Sequence, residues 1–307
     1  MACYAPLKAC QADDGTIIIG YHDPTGTEGN NLQLPCGKCE GCLEDKGREW
    51  ATRCANEAAM HEHNCVLTLT YEDKNLPENG SLAHEDFQKF LKRLRQDIVR
   101  AQRPQSGLQA DKLPLLVGGK LKYFMCGEYG EQKKRPHYHA MLFGVDFADK
   151  EKWSKTTKGN QLWRSDYLDK KWRYGQALIG EMNWGSAAYI TQYTLKKMSK
   201  QQATEIGINP EYHQMSRRPG IGNTWIKKYH EDVYPHGAVI LETGTKTKPP
   251  RYYDNFYKEM EDNQYEQMKI ERQQMAIKNE NDNTPKRLAD KRKVHQAKIQ
   301  QWDRKLT

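Results

Sequence analysis

Apolar residues alternate with polar ones in short segments of this chain and recur at helical spacing in longer ones. Residues 66–71 alternate and are β-branched, and residues 121–126 and 137–143 form two further apolar runs. Such runs are typical of strands in a sheet. In residues 44–63 and 82–101 the apolar positions return every three or four residues, which predicts two amphipathic helices.

The rest of the chain is more polar. We expect a loop over residues 146–165 and further helices over 166–173 and 185–200. Beyond residue 257 Lys, Glu, Gln and Asn dominate, which is typical of a solvated helix or of a helix that orders on binding. We therefore divide the chain into a Cys-rich N-terminal segment and helix (1–63), a core (64–255) and a charged, helical or flexible C-terminal tail (256–307).

Composition narrows the partners and the compartment. The 307 residues include 48 Lys and Arg against 40 Asp and Glu, and the net charge of +8 favours an anionic partner. No apolar run reaches the length of about 18 residues that a membrane span requires, and residues 1–10 lack the apolar core of a signal peptide. We therefore expect a reducing cytoplasm, where the eight cysteines serve as thiols or metal ligands rather than as disulfides.

Three residues of the two later apolar runs could bind a metal ion. Residues two apart on a strand project from one face, so His137 and His139 would present their imidazoles side by side. Glu128 follows the preceding run, and an antiparallel hairpin would bring its carboxylate alongside them. Two histidines and one carboxylate leave coordination positions for water and a phosphate oxygen, which suits catalysis.

A second stretch supplies a candidate nucleophile. Tyr189 and Tyr193 are four residues apart and would share one face of a helix, with Lys196 and Lys197 just beyond. A metal-bound phosphate or a nearby cation can stabilise a phenolate, which makes a tyrosine nucleophilic. Metal ligands, paired tyrosines and lysine together indicate phosphodiester cleavage through a covalent phosphotyrosine.

Each of these motifs is weak when taken alone. His61 and His63 repeat the His-x-His spacing in a predicted helix, where positions two apart diverge by about 200° and cannot chelate together. Isolated histidine pairs are more often surface residues of a strand, and a Tyr-x3-Tyr pair is more often packing. The combination of Glu128, the histidines and the tyrosines in one chain favours a site.

A run of cysteines precedes this region. It consists of Cys36, Cys39 and Cys42. Its C-x2-C-x2-C spacing with intervening glycines would let three thiolates face one ion, which favours a structural Zn²⁺. A fourth ligand would come from Cys3, Cys10 or Cys54, of which Cys3 is our working candidate. An iron–sulfur cluster, which also needs a fourth cysteine, and three reduced thiols in a turn are the alternatives.

Taken together, the motifs resemble those of a known family. The histidine pair followed by Tyr-x3-Tyr-x2-Lys resembles the HUH endonucleases, specifically the two-tyrosine class that starts rolling-circle replication. More narrowly, the chain resembles the replication initiation proteins of gokushovirus-type microviruses over roughly residues 1–255. The segments that carry this resemblance are CGKCEGC (36–42), LTLTY (67–71), CGEYGE (126–131), RPHYHAMLFG (135–144), SAAYITQYTLKK (186–197), SRRPGIG (216–222) and PPRYYD (249–254).

The resemblance implies an α+β fold with an HUH-type central antiparallel sheet of about five strands. Helices are expected on one side of this sheet, with the tyrosine helix next to the metal. The implied ion is Mg²⁺ or Mn²⁺, held by Glu128, His137 and His139. Tyr189 or Tyr193 would then attack the scissile phosphate. The family's lysine corresponds to Lys196.

The implied substrate is single-stranded DNA at a replication origin. One tyrosine would keep the 5′ end as a phosphotyrosine and free a 3′-OH for polymerase, and the other would act after a full round. A host helicase and polymerase are the further partners that we expect, in the cytoplasm of a bacterium infected by a phage. Candidate phosphate contacts are Lys133, Lys134, Arg135 and Lys197.

Three other interpretations stay open. The chain could carry another HUH activity, such as plasmid initiation, conjugative nicking or transposition. A zinc-stabilised nucleic-acid-binding module without catalysis would bind DNA and form no covalent adduct. A metal-dependent hydrolase that uses water would cleave without an adduct, and its two tyrosines would be packing residues.

Overall fold

Helices and antiparallel strands alternate along the chain. The computed structural model describes residues 3–12, 14–20, 30–102, 113–130, 132–193, 200–234 and 236–304. The chain divides into two units, one formed by residues 1–46 with 258–307 and the other by residues 47–257. Each unit has a sheet of its own.

The strands are β1 (Leu7–Gln11), β2 (Ile17–Ile19), β3 (Asn30–Leu34), β4 (Asn64–Thr70), β5 (Leu115–Tyr129), β6 (Pro136–Phe147), β7 (Glu151–Lys155), β8 (Gln161–Arg164), β9 (Ala177–Gly180), β10 (Tyr212–Met215), β11 (Val239–Ile240) and β12 (Lys246–Thr247). The helices are α1 (Glu40–Ala58), α2 (His84–Ala101), α3 (Asp166–Trp172), α4 (Trp184–Tyr193), α5 (Lys200–Glu205), α6 (Asn223–Val233), α7 (Arg251–Met260), α8 (Asp262–Lys278) and α9 (Pro285–Arg304).

The unit of residues 47–257 is built on a seven-stranded sheet in the order β10-β5-β6-β4-β9-β8-β7. Every neighbouring pair is antiparallel, which confirms the α+β class. The sheet has more strands than the five or so expected, because residues 146–165 contain the β7–β8 hairpin where we expected a loop. All five residues of β7 are exposed, so this hairpin lacks the apolar alternation that predicts a strand.

Helices cover both faces of this sheet, so the expectation of helices on one side is wrong. Leu142 joins an apolar cluster with residues of α2 and α3. Its neighbour Phe143 joins a second cluster with residues of α1 and α4. Successive residues of a strand point to opposite faces, so the unbroken apolar run 140–143 supplies both clusters. A strand buried on both faces reads as a continuous apolar run rather than an alternating one.

The other unit contains a three-stranded sheet in the order β2-β1-β3, together with α8 and α9. Most residues of these two helices are exposed, and Met268 and Leu288 are among their few buried side chains. Among the described helices of both units, none combines the length and apolarity needed to cross a membrane.

Substitution on each face of β6 tests the two-sided packing. Leu142→Ala and Phe143→Ala are each expected to lower the free energy of unfolding by about 2–5 kcal/mol, because both side chains are fully buried. Ile206→Ala, at a position that is 61% exposed, is the control and should change it by less than about 0.5 kcal/mol. Urea denaturation followed by circular dichroism measures these differences. If only one of the two β6 variants were destabilised, the sheet would be packed on a single face.

Candidate active site

Strand pairing brings the predicted metal ligands together. β6 lies between β5 and β4, with Glu128 of β5 directly opposite His137. Thr68 of β4 lies opposite His139. The two histidines share a strand face with Phe143, because all three are an even number of residues apart. The cluster therefore lies on the sheet face that α1 and α4 cover.

One carboxylate oxygen contacts both imidazoles. Glu128 Oε1 lies 3.0 Å from His137 Nε2 and 2.9 Å from His139 Nε2. The two rings are perpendicular, with centroids 5.1 Å apart. Because Glu128 and His139 are 5% and 9% exposed, these contacts are shielded from water and are stronger than the same contacts at a surface.

The outer nitrogens of both rings are fixed by hydrogen bonds. His137 Nδ1 donates to the carbonyl oxygen of Arg135 at 3.2 Å, and His139 Nδ1 lies 3.0 Å from the Thr68 hydroxyl. A carbonyl oxygen only accepts, so the proton of a neutral His137 ring is on Nδ1 and its Nε2 lone pair faces Glu128. Such outer contacts set the tautomer and orientation of metal-binding histidines.

The electrostatics of the cluster suit a cation. Burial alone would raise the pKa of Glu128, but the hydrogen bonds from His137 and His139 outweigh it and hold this pKa below its ordinary value. Burial likewise opposes protonation of His137, yet the hydrogen bond to Glu128 raises the pKa of His137 above its ordinary value. An ionised carboxylate facing two nitrogen lone pairs needs a positive charge between them. All three ligand atoms lie within 4.8 Å of one another, so the residues fit a divalent ion.

Tyr189 lies beside this cluster. Its ring centroid is 6.1 Å from that of His139, and its side chain is 47% exposed. Ala187 and Ile190 on the same helix are buried in the second apolar cluster, which fixes α4 against the sheet. A phenol placed in this way is held near the cluster and is still reachable from solvent.

The other predicted residues of this stretch are less fully described. Tyr193 ends α4, and only its backbone is among the described residues. Lys196 and Lys197 lie outside the described residues.

The predicted basic contacts differ from one another. Lys133 and Lys134 are exposed. The Arg135 guanidinium donates to Asp73 at 2.6 Å and to the Tyr71 carbonyl oxygen at 2.9 Å, so it holds the neighbouring loop in place. Together with Thr70 and His137, Lys133 and Arg135 line a cleft of about 350 Å³ next to the cluster.

A separate cluster of cysteines lies in the unit that contains residues 1–46. Its members are Cys3, Cys36, Cys39 and Cys42. The Sγ atoms of Cys36 and Cys42 are 3.9 Å apart and those of Cys39 and Cys3 are 3.8 Å apart, and all four lie within 4.8 Å of one another. Cys10 and Cys54 are buried elsewhere, in β1 and α1, so Cys3 is the cysteine that joins the run.

Backbone groups support thiolates in this cluster. The backbone N–H of Cys36 donates to Cys3 Sγ at 3.3 Å, and that of Tyr4 donates to Cys39 Sγ at 3.4 Å. A hydrogen bond from the Lys38 backbone lowers the pKa of Cys36 to about 6, whereas burial raises the pKa of Cys42 to about 12. Four convergent sulfurs with N–H donors fit a tetrahedral ion such as Zn²⁺.

Comparisons with known proteins agree on one family. Residues 64–200 match the family model of the replication-associated protein ORF2. The chain is 33% identical over 259 residues to replication-associated protein VP4 of Bdellovibrio phage phiMH2K, which covers 84% of this chain and 78% of that protein. It is 32% identical over 271 residues to replication-associated protein ORF2 of Spiroplasma virus 4, with coverage of 83% and 79%. No solved structure matches the chain.

Fold and site together define an α+β protein with a candidate metal site on its central sheet and a tyrosine helix beside it. The chain belongs to the family of replication-associated proteins that includes these microvirus proteins. This membership confirms the resemblance on which the interpretation of the motifs depends.

Removal of the Thr68 hydroxyl tests whether this residue positions His139. Thr68→Val keeps the β-branched shape but removes the partner of His139 Nδ1, so we expect the affinity for Mn²⁺ to fall by about 10- to 100-fold. Isothermal titration calorimetry measures this affinity. Thr70→Val is the matched control, because the Thr70 hydroxyl donates to the Gln176 carbonyl oxygen instead. Equal Mn²⁺ affinities in the two variants would remove Thr68 from the site.

Proposed function

We propose that this protein initiates rolling-circle replication by nicking and rejoining single-stranded DNA at an origin through a 5′-phosphotyrosine. The observation that carries the proposal is the position of Tyr189 beside the cluster of Glu128, His137 and His139. A nucleophile beside a candidate divalent-metal site is the arrangement that phosphodiester transfer requires. The relatives named as replication-associated proteins support a role in replication.

The chain's own residues have distinct roles in this proposal. Glu128, His137 and His139 hold Mg²⁺ or Mn²⁺, which when bound stabilises the charge that develops on the scissile phosphate. Thr68 and the Arg135 carbonyl oxygen keep the two rings oriented toward the shared position. Lys133 lies in the adjoining cleft, where it would contact a neighbouring phosphate of the strand.

The covalent step exchanges one ester bond for another. The tyrosine phenol loses its proton and its oxygen forms a bond to phosphorus, while the bond from phosphorus to the 3′ oxygen breaks. The 3′ oxygen takes up a proton and leaves as a hydroxyl that can prime a host polymerase. The 5′ end stays on the enzyme as a phosphotyrosine until a second hydroxyl attacks it.

Two tyrosines suit an alternating cycle. Tyr189 and Tyr193 are separated by one turn of α4, so both can reach the same side of the helix. In our proposal one opens the origin strand and the other acts after a full round, which releases product and restarts the cycle. Lys196 belongs to this machinery by its match to the family pattern. A host helicase would open the duplex, and the setting is the cytoplasm of a host bacterium.

A covalent-adduct assay tests the chemistry. A labelled single-stranded oligonucleotide pool from the protein's own genome is incubated with the protein and Mn²⁺ or EDTA, and denaturing gels reveal label that migrates with protein. We expect a metal-dependent adduct that is lost in the Tyr189→Phe/Tyr193→Phe double variant. Loss in one single variant would identify the initiating nucleophile. Glu128→Gln should abolish the adduct, because the site then lacks its anionic ligand.

Other outcomes would favour the other interpretations. Cleavage without an adduct would identify a hydrolase that uses water, and binding without cleavage would identify a non-catalytic module. Either result would contradict the phosphotyrosine mechanism. Adduct formation at a site outside the replication origin would indicate another HUH activity instead.

The cysteine cluster has a structural role in this proposal, as a Zn²⁺ site. Cys3 belongs to the N-terminal segment, whereas Cys42 belongs to the first turns of α1, so a shared ion ties the two together. Tyr4 next to Cys3 packs on His295 of α9 with ring centroids 5.6 Å apart. Glu40 in the same turn of α1 accepts a hydrogen bond from Arg292 of α9 at 2.8 Å. The ion would thus anchor the end of α1 to which α9 attaches.

Replacement of Cys3 tests the zinc site. The wild-type protein is expected to contain zinc with Zn–S distances of about 2.3 Å by X-ray absorption. Cys3→Ser should weaken zinc retention, because one of four sulfurs is lost, and should increase proteolysis of α9. Cys10→Ser is the matched control, since Cys10 is buried in β1 of the same unit. Visible absorbance typical of iron–sulfur charge transfer, or equal zinc content in the Cys3 and Cys10 variants, would contradict the proposal.

A further inference from the structure

The largest groove described in the 47–257 unit lies away from the candidate active site. This groove, of about 990 Å³, is lined by the C-terminal half of α2, by residues 119–123 of β5 and by residues 214–219. Ile98 and Leu121 at its base belong to the first apolar cluster, so the groove lies on the α2 face of the sheet. Glu128 lies on the opposite face, five residues or about 17 Å along β5 from Tyr123.

The charge of the groove is one-sided. Its exposed basic residues are Arg95, Lys120, Arg217 and Arg218. No acidic residue lines it among the described residues, although the chain has 40 Asp and Glu against 48 Lys and Arg. The four cations make no ion pair with any described residue. On the same helix Lys89 pairs with Glu85 at 2.9 Å and Arg100 pairs with Asp97 at 2.9 Å, as expected for a solvated face.

Hydrogen bonds hold the walls of the groove in place. The Tyr123 backbone N–H donates to Ser216 Oγ at 3.1 Å, and the Ser216 backbone N–H donates to the Tyr123 carbonyl oxygen at 2.9 Å. At the far end of this segment the Gly222 backbone N–H donates to Glu57 at 2.7 Å, and Glu57 pairs with Lys122 at 2.8 Å. The cations of residues 217 and 218 are therefore presented on a fixed segment rather than a free loop.

An irregularity in β5 completes the groove. The pairing of β5 with β6 shifts register between Val117 and Lys122, so extra residues bulge outward. Gly119 within this bulge has φ +130°, a conformation that glycine adopts readily and that turns Lys120 toward solvent. Arg95 reaches the groove from α2, with its guanidinium 5.5 Å from the Tyr123 ring centroid. The cations thus come from three separate elements.

We propose that this groove binds the phosphate backbone of DNA that flanks the cleaved nucleotides, as an anchoring site separate from the active site. The proposal rests on the proposed function for its choice of DNA as the polyanion. Four unpaired cations in a groove of this volume exceed what a single phosphate needs, so they suit several phosphates of one strand. The Tyr123 ring adds a surface on which a base can stack.

Salt-dependent binding tests the groove. The triple variant Arg95→Gln/Arg217→Gln/Arg218→Gln is compared with Lys89→Gln/Lys227→Gln/Lys228→Gln, which removes the same charge from exposed positions outside the groove. Fluorescence anisotropy measures the Kd of a labelled 40-mer and a labelled 10-mer, each single-stranded and duplex, over a range of NaCl concentrations. The slope of log Kd against log salt should fall by about 2 to 3 for the 40-mer in the groove variant only, because each lost phosphate contact removes about 0.7 to 0.9.

The nicking assay separates this proposal from the proposed function. We expect the groove variant to form the covalent adduct with the 10-mer as the wild type does, and to lose adduct with the 40-mer at low DNA concentration. Equal weakening by the two triple variants would overturn the groove, since net charge alone would then explain binding. If the wild type bound through the groove but formed no adduct at all, the phosphotyrosine mechanism would fail while the anchoring site would stand.

Discussion

The register of three neighbouring strands is the constraint on which the candidate active site depends. β6 pairs with β5 on one side and β4 on the other, and these pairings place Glu128, His137 and Thr68 in adjacent rows. A shift of one residue in either pairing would turn a partner to the opposite face and separate the ligands. Register is fixed by burial, because Met141 and Phe143 follow the histidines on the same face and are fully buried. The apolar core thus determines where the polar cluster lies.

The sequence predicted the features that depend on local periodicity. The segments 66–71, 121–126 and 137–143 lie within or overlap β4, β5 and β6, and the pairing of Glu128 with the two histidines follows from a hairpin between the last two. These strands could be predicted because their side chains meet the same kind of surroundings from one residue to the next. The sheet was found in this way, but its second covered face was not, since a continuous apolar run does not reveal how many faces are packed.

Features that depend on residues far apart in the chain were not predictable. Cys3 joins the cysteine run across more than 30 residues, and the spacing alone left Cys3, Cys10 and Cys54 equivalent. The basic groove has no motif, because Arg95 and Arg217 are brought together only by the fold. The role of Tyr193 is likewise carried by its position four residues after Tyr189.

Two of the family motifs turn out to pack on each other. In SRRPGIG, Gly222 has φ +78°, and a Cβ there would lie 2.5 Å from the hydroxyl of Tyr253 in PPRYYD. Tyr253 in turn accepts a hydrogen bond from Asn56 of α1 at 3.0 Å. Residues that identify a family can therefore do so through a close approach in the core, and their presence does not by itself assign them a part in catalysis.

The outermost strand of the large sheet, β7, has a consequence for the behaviour of the protein in solution. A strand at the end of a sheet exposes unpaired backbone groups, to which the same strand of another molecule can add. β7 carries Glu151, Lys152 and Lys155 within five fully exposed residues. The like charges that would meet when two such strands approach disfavour end-to-end growth of the sheet. The polar composition that hid β7 from sequence analysis thus protects the protein against aggregation.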